Sequence, residues 1–306
     1  MMTRHERGRV VWVDVESPTR EELQFLLEEF AIDARIGEEV IAPTPYPLFI
    51  PFPDYVYLIL HFPASLPEGG ARNQEVDFIV GKRFLITVRY ETIESIHNLH
   101  KIFEAEELLG LPAHPAKAAV LVERVMRRLH GAMRSEVEHA AHILERLEHD
   151  VFAGKERETV RTISETARVL LRFETALARH DEPLSAFLAS LSGSSFFGKG
   201  FADHAVHLEA ERGYLAALVA SYRAAATELR DTNDSLLSAS QNEIMKTLTV
   251  ITFIAFPLSL IAALFQMGAA DTPLVDKPGA FWIILGSMIV ISGFLAFFIV
   301  RRKRWL

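Results

Sequence analysis

Hydrophobic and polar positions change rhythm three times along the chain. Between residues 9 and 90 the apolar residues come in short β-branched and aromatic runs, RVVWVDV (9–15), DYVYLILHF (54–62), QEVDFIVG (74–81) and RFLITVRY (83–90), which predict strands. Gly81-Lys82 between the last two predicts a hairpin turn. SPTREELQFLLEEF predicts a helix, with Ser17 as N-cap, Pro18 in the first turn and acidic residues early. Together these make a small α+β domain. From about Pro115 to Leu191, and again from about Phe201 to Ser240, apolar residues recur at three and four positions among Glu, Arg, His and Ala. That period predicts long amphipathic helices, joined as a hairpin at the one clear break, SGSSFFGKG (192–200).

The third rhythm is continuous. Thr247 to Ala270 and Pro278 to Val300 hold no charged side chain. Each run exceeds the roughly 20 residues that a helix needs to cross the hydrocarbon of a bilayer, so two transmembrane helices are expected. No strong breaker precedes the first, so the stalk helix should run into it unbroken. The organisation expected is an α+β cytoplasmic domain (1–112), a helical stalk region (113–243), a pore-side transmembrane helix (244–268), an external loop (269–278), a second transmembrane helix (279–300) and a basic tail (301–306).

Composition orients this plan. The N-terminus has no continuous apolar stretch, so no cleaved signal peptide is expected and the leading portion should stay cytoplasmic. Arg301-Arg302-Lys303-Arg304 directly after the second span places the C-terminus on the same side. The 306 residues include no cysteine, which excludes disulfides and thiolate metal sites. The net charge of -8, with no basic face interleaved with aromatics, disfavours a nucleic-acid partner. GSSFFGKG has phosphate-loop spacing but ends in Gly200 where a Mg2+-binding hydroxyl is required, and it follows a helix pattern. No catalytic constellation stands out, and an enzyme is not expected.

On the first membrane helix, polar, small or unusual residues fall at Asn242, Met245, Thr249, Thr252, Phe256, Ser259, Ala263 and Gln266. Steps of three and four keep them on one face. Such a stripe fits helix packing through small residues. It fits equally a pore, with hydroxyls and amides facing water and an apolar constriction at Met245 and Phe256. Two helices cannot enclose a pore, so the second reading requires several copies.

These residues carry a resemblance. NEIMKTLTVITFIAFPLSLIAALFQM, the short loop, FWIILGSMIVISGFLAFFIV and RRKRWL resemble the membrane hairpin of the CorA family of divalent cation transporters. WVDVESPTREELQFLLEEF, DYVYLILHF and EVDFIVGKRFLITVRY resemble that family's cytoplasmic domain, so almost the whole chain is covered. The resemblance implies a homopentameric funnel in the cell (inner) membrane. It also implies passive transport of hydrated Mg2+, with Co2+ or Ni2+, and a zinc-transporting branch. The cation is then substrate and regulator, and no resident cofactor is expected. Carried over position by position, Asn242 matches an asparagine ring at the cytoplasmic end of the pore and Asp231 an acidic ring just inside. Met245 and Phe256 match apolar gates, and Thr249, Thr252 and Ser259 match pore-lining positions; Ala263 continues the stripe.

The family's Gly-Met-Asn signature is occupied here by Gln266, Met267 and Gly268, so the entrance asparagine is missing. Three readings stay open. Gln266 supplies the amide; or Gly268 with Ala269-Ala270 exposes carbonyls while Asp271 and Asp276 attract cations; or selectivity or transport is altered. The loop and stripe hold no His or Cys, which suits Mg2+ with its retained waters better than Zn2+. On the stalk, His204, His207 and Glu211 (with Asp203), and Glu138, His139, His142 and Glu145, have metal-ligand spacing. The same spacing also describes a solvated helix face.

Overall fold

The computed structural model describes residues 1–65, 71–109, 117–193, 197–266 and 279–301, in two compact units, Met1–Arg230 and Asp231–Leu306. The first unit is built on a six-stranded sheet. Its strands are β1 (Met2–Arg7), β2 (Val10–Glu16), β3 (Leu48–Pro51), β4 (Tyr55–Ser65), β5 (Ala71–Gly81) and β6 (Phe84–Arg89), in the order β1-β2-β6-β5-β4-β3. Only β2 and β6 pair in parallel; the other neighbours are antiparallel. The β5–β6 hairpin turns at Lys82-Arg83, one residue beyond the expected Gly81-Lys82, because Gly81 still pairs with Tyr55 as the last residue of β5. A parallel pair cannot be closed by a tight turn, and here the crossover carries α1 (Arg20–Glu29), α2 (Ala34–Glu39) and β3 to β5.

Alternation along the strands gives the sheet two buried faces. Val13, Val15, Tyr57, Ile59, Ile79, Ile86 and Val88 pack with Leu23 and Leu26 of α1 and Ile36 of α2. The opposite face meets α3 (Glu94–Leu108), α4 (Ala118–Phe152) and α5 (Glu156–Gly193); Phe49 lies against Phe187, and Phe62 against His180. Leu58, Leu60 and Leu85 on this side are fully buried, worth about 1.5–3 kcal/mol each.

Two expectations are corrected. The cap of α1 is Thr19, not Ser17. Thr19 accepts a hydrogen bond from the Glu22 amide at 3.2 Å and the Glu22 carboxylate accepts one from the Thr19 amide at 3.0 Å, a reciprocal pair that Ser17 cannot make. Ser17 instead adopts φ +50° and donates to the Tyr90 carbonyl. The helical region has a second break, where Gly154 at φ +85° ends α4 in a left-handed conformation that glycine adopts at little cost. α4 and α5 then fold back across the sheet, within the first compact unit.

A short 3-10 turn (Gly198–Phe201) leads into α6 (Ala202–Gln266), which is unbroken for 65 residues, about 97 Å at 1.5 Å per residue. Buried Leu208, Leu215, Val219 and Ala226 recur at steps of four and seven. Alongside them Ser185 donates to Glu209, and Arg212 pairs with Asp181 and Arg223 with Glu174, which sets α5 and α6 antiparallel. In the second unit α7 (Ala280–Arg301) follows α6. By length and composition α6 is, among the described residues, the one helix able to cross a membrane, and α7 contributes the shorter apolar stretch Phe281–Leu295.

Candidate functional site

From Asn242 to Gln266 the chain is α-helical throughout, so the steps of three and four do become one stripe. Asn242, Met245, Thr249, Thr252, Phe256, Ser259, Ala263 and Gln266 are all exposed on the single chain, with Met245 60% and Phe256 66% exposed. Partial cover falls elsewhere on α6, at Val250, Ile254, Pro257, Leu258 and Ile261. At about 100° per residue, those positions centre on the side opposite the stripe. On α7 the half-covered positions are Ile284, Gly286, Met288, Ser292 and Leu295, again largely at helical spacing. The covered face of α6 is aliphatic; the open face carries the hydroxyls, the amides and the two bulky gate candidates.

The hydroxyl geometry is what the sequence left unseen. Thr249 donates to the Met245 carbonyl at 2.8 Å, Thr252 to Leu248 at 2.8 Å and Ser259 to Ala255 at 3.0 Å. With each hydroxyl proton held by the helix, the lone pairs of the oxygen are what remains for anything beside the stripe. Such acceptors suit a cation that keeps its water, because the shell presents hydrogens outward. Pro257 removes one backbone donor from this segment, leaving the Phe253 carbonyl without its usual partner.

Asp231, eleven residues before Asn242, lies about 16 Å down the helix and is exposed, as is Asn242. Gln266 is the last residue of α6. Met267, Gly268, Asp271 and Asp276, with the expected loop and Arg302 to Arg304 of the tail, lie outside the described residues.

The stalk candidates separate. His204 Nδ1 sits 2.5 Å from the Glu123 carboxylate of α4, and Glu211 accepts from Arg127 at 3.0 Å. His207 stays exposed. Glu211 is therefore engaged in neutralising a cation, and the three do not form a metal site; among the described residues no group of three or more His, Asp or Glu side chains could hold a metal ion. His142 meets only Glu145 of the second candidate set, at 3.3 Å, with both side chains 75% exposed.

Sequence reasoning also missed two buried polar clusters in the first unit. Asp14 accepts from Thr87 at 2.5 Å, from Arg89 at 3.0 Å and from His100 at 2.9 Å, and His100 in turn meets His5 at 2.8 Å while stacking on Trp12. Burial alone would raise the Asp14 pKa, but His100, Arg89 and Thr87 outweigh it and hold the carboxylate below its ordinary value. Asp77 is the reverse case: burial, then the charge of Glu75, push its pKa well up, with Tyr57 donating to it at 2.8 Å. The first cluster ties α3 to β1, β2 and β6, and the second ties β4 to β5. Their only sequence signal is a charged residue at an inward position of an otherwise apolar strand.

With this geometry in hand, comparison with known proteins gives a consistent result. A family described as CorA-like Mg2+ transporter protein matches residues 7–304. The chain is 25% identical over 307 residues to the cobalt/magnesium transport protein CorA of Methanocaldococcus jannaschii, covering 98% of this chain and 93% of that one. The complete structure of the magnesium transporter CorA from the same organism superposes with a TM-score of 0.81 at 22% identity, covering 99% of this chain and 93% of the other. The full-length CmaX protein is similar in fold, with a TM-score of 0.69 at 17% identity over 97% of this chain and 89% of that one.

Proposed function

The chain belongs to the family of CorA-like Mg2+ transporter proteins, and on that footing we propose that it conducts Mg2+, with Co2+ and Ni2+ as secondary substrates, through a channel-like homopentamer. A member of this family is a membrane transporter of divalent metal ions and not an enzyme. In our reading α6 and α7 both span the cell membrane, the two termini face the cytoplasm, and five copies of α6 surround the path.

The observation that carries this reading is the opposition of faces on α6. The aliphatic face is the one partly covered, and the face bearing Asn242, Thr249, Thr252 and Ser259 is open along its length. A lone helix in lipid would gain nothing from that arrangement; a helix whose open face meets water and further copies does. Lone pairs without free hydroxyl protons suit the water shell of an ion that dehydrates reluctantly, as Mg2+ does. Met245 and Phe256 narrow the path, Asp231 and Asn242 form rings at the cytoplasmic end, and Gln266-Met267-Gly268 with Asp271 serve as the outer entrance in place of the usual signature. An inside-negative potential supplies about 4.6 kcal/mol per 100 mV for a divalent ion.

Uptake into proteoliposomes, with Mg2+, Co2+, Ni2+ and Zn2+ offered in turn and internal pH recorded, tests the proposal. Mg2+ entry that follows an imposed potential without a pH change is the expected result. Zn2+ entry with a matching pH change would move the chain to a proton-coupled zinc transporter. No flux of any ion would make it a non-conducting member of the family.

A further inference from the structure

The first unit holds a polar layer that transport does not use. His130 of α4 and His180 of α5 are buried, with 4% and 0% of their surface exposed. His180 donates from Nε2 to the His61 carbonyl of β4 at 2.9 Å, and its other ring nitrogen has no partner; His130 has none at either nitrogen. The pairings Arg212–Asp181 and Arg127–Glu211 show that α4, α5 and α6 meet at this same level. Pro183 lies three residues beyond His180 and removes the backbone donor that the Arg179 carbonyl would take, so α5 is weakened here.

The charges that act on the two rings are positive. Arg212 of α6 acts on both rings, and His180 feels His130 and His61 as well. The nearby carboxylates are already engaged: Asp181 and Glu209 hold Arg212, Glu211 accepts from Arg127, and Glu75 pairs with the His61 ring at 3.1 Å. Glu211 Oε2 is buried without a partner, but neither His130 nitrogen nor His180 Nδ1 has a carboxylate within hydrogen-bond reach, so a proton arriving on either buried ring would have no direct counter-charge.

We infer that His130 and His180 form an acid-release point, at which protonation of the two rings loosens the α4–α5–α6 layer while the sheet stays paired. Burial, reinforced by Arg212, pushes the His130 pKa down to about 4, and burial pushes that of His180 down to about 3. The sign follows directly. Once released the rings take protons near their ordinary 6.5, whereas the packed rings do not, so packing is favoured above 6.5 and is lost as pH falls toward 4. For two rings the packed-to-open ratio drops about a hundredfold per pH unit in that window.

Hydrogen–deuterium exchange of the full-length protein in detergent between pH 7.5 and 4.5, corrected for intrinsic exchange, tests this. Protection of amides around 126–134, 176–184 and 208–216 should fall with a slope near two protons below pH 6.5, while β4 and β5 hold. His130→Leu, which removes one ring, should lower the slope to about one. Protection that ignores pH down to 5, or an unchanged slope in the variant, overturns the inference; if the variant does not fold, a wild-type slope under one proton overturns it alone. Exchange is read without any permeant ion, so its outcome is independent of whether the protein conducts.

Discussion

The sheet unit and the end of α6 treat polar residues in opposite ways. In the first, Asp14, Arg89, His100 and Thr87 are buried within one chain and satisfy one another. In the second, the hydroxyls of Thr249, Thr252 and Ser259 bond only to their own helix and leave acceptors on an open face. The lesson is that the Asp14 network closes within one chain, whereas the open face of α6 presents a surface whose use depends on what lies beside it. The same residue types serve cohesion in one place and, in the proposed pore, an aqueous path in the other because the surrounding secondary structure differs. A sheet with helices on both faces encloses its polar groups; an isolated helix cannot.

The contrast can be tested from both sides. The largest effect expected is Asp14→Ala, which strips Arg89, Thr87 and His100 of a shared acceptor and should destabilise the protein by about 3–5 kcal/mol in denaturant melts, with assembly of the membrane helices judged separately by mass. If the melt shifts by less than 1 kcal/mol, the claim of a self-satisfied buried network is wrong. Next, Thr252→Leu on the stripe should reduce Mg2+ flux at least tenfold, about 1.4 kcal/mol in the barrier, while Thr247→Leu, just over half a turn from the stripe residue Thr249, should leave flux within twofold. Equal losses from both would show that the open face has no special part.

Smaller still, Thr19→Ala should cost about 1 kcal/mol through the lost reciprocal cap and leave flux unchanged, a control that separates stability from conduction. The smallest effect expected is Asp231→Asn. Removing this exposed carboxylate, which the proposed homopentamer would repeat as a ring, should lower flux about twofold at low ionic strength and much less at high salt, since exposed charges are screened. A salt-independent loss would point instead to a direct ion ligand.

Much of this architecture was legible because it rests on local periodicity. The four hydrophobic strands, the presence of a hairpin between the last two, the unbroken run of α6 and the stripe along it follow from residues two, three or four positions apart. β1 and β3 were not legible: MTRHER has no apolar alternation and becomes a strand by pairing along β2 at the sheet edge. Gly154 was passed over because one glycine in a polar stretch reads as tolerable until its positive φ is seen. Thr19 was missed in favour of Ser17 because choosing a cap requires knowing which residue reaches back from N3.

Local spacing alone thus determined that this chain joins an α+β domain to long helices ending in apolar stretches, and that one face of α6 is polar. Only the tertiary structure decided that α4 and α5 fold back onto the sheet, that Glu211 pairs with Arg127 instead of joining His204 and His207, and that the polar face of α6 is the uncovered one. The reason is physical. A helix face or a strand is specified by neighbours a few bonds away, whereas burial and partner choice depend on residues far apart in sequence, brought together when the apolar faces close.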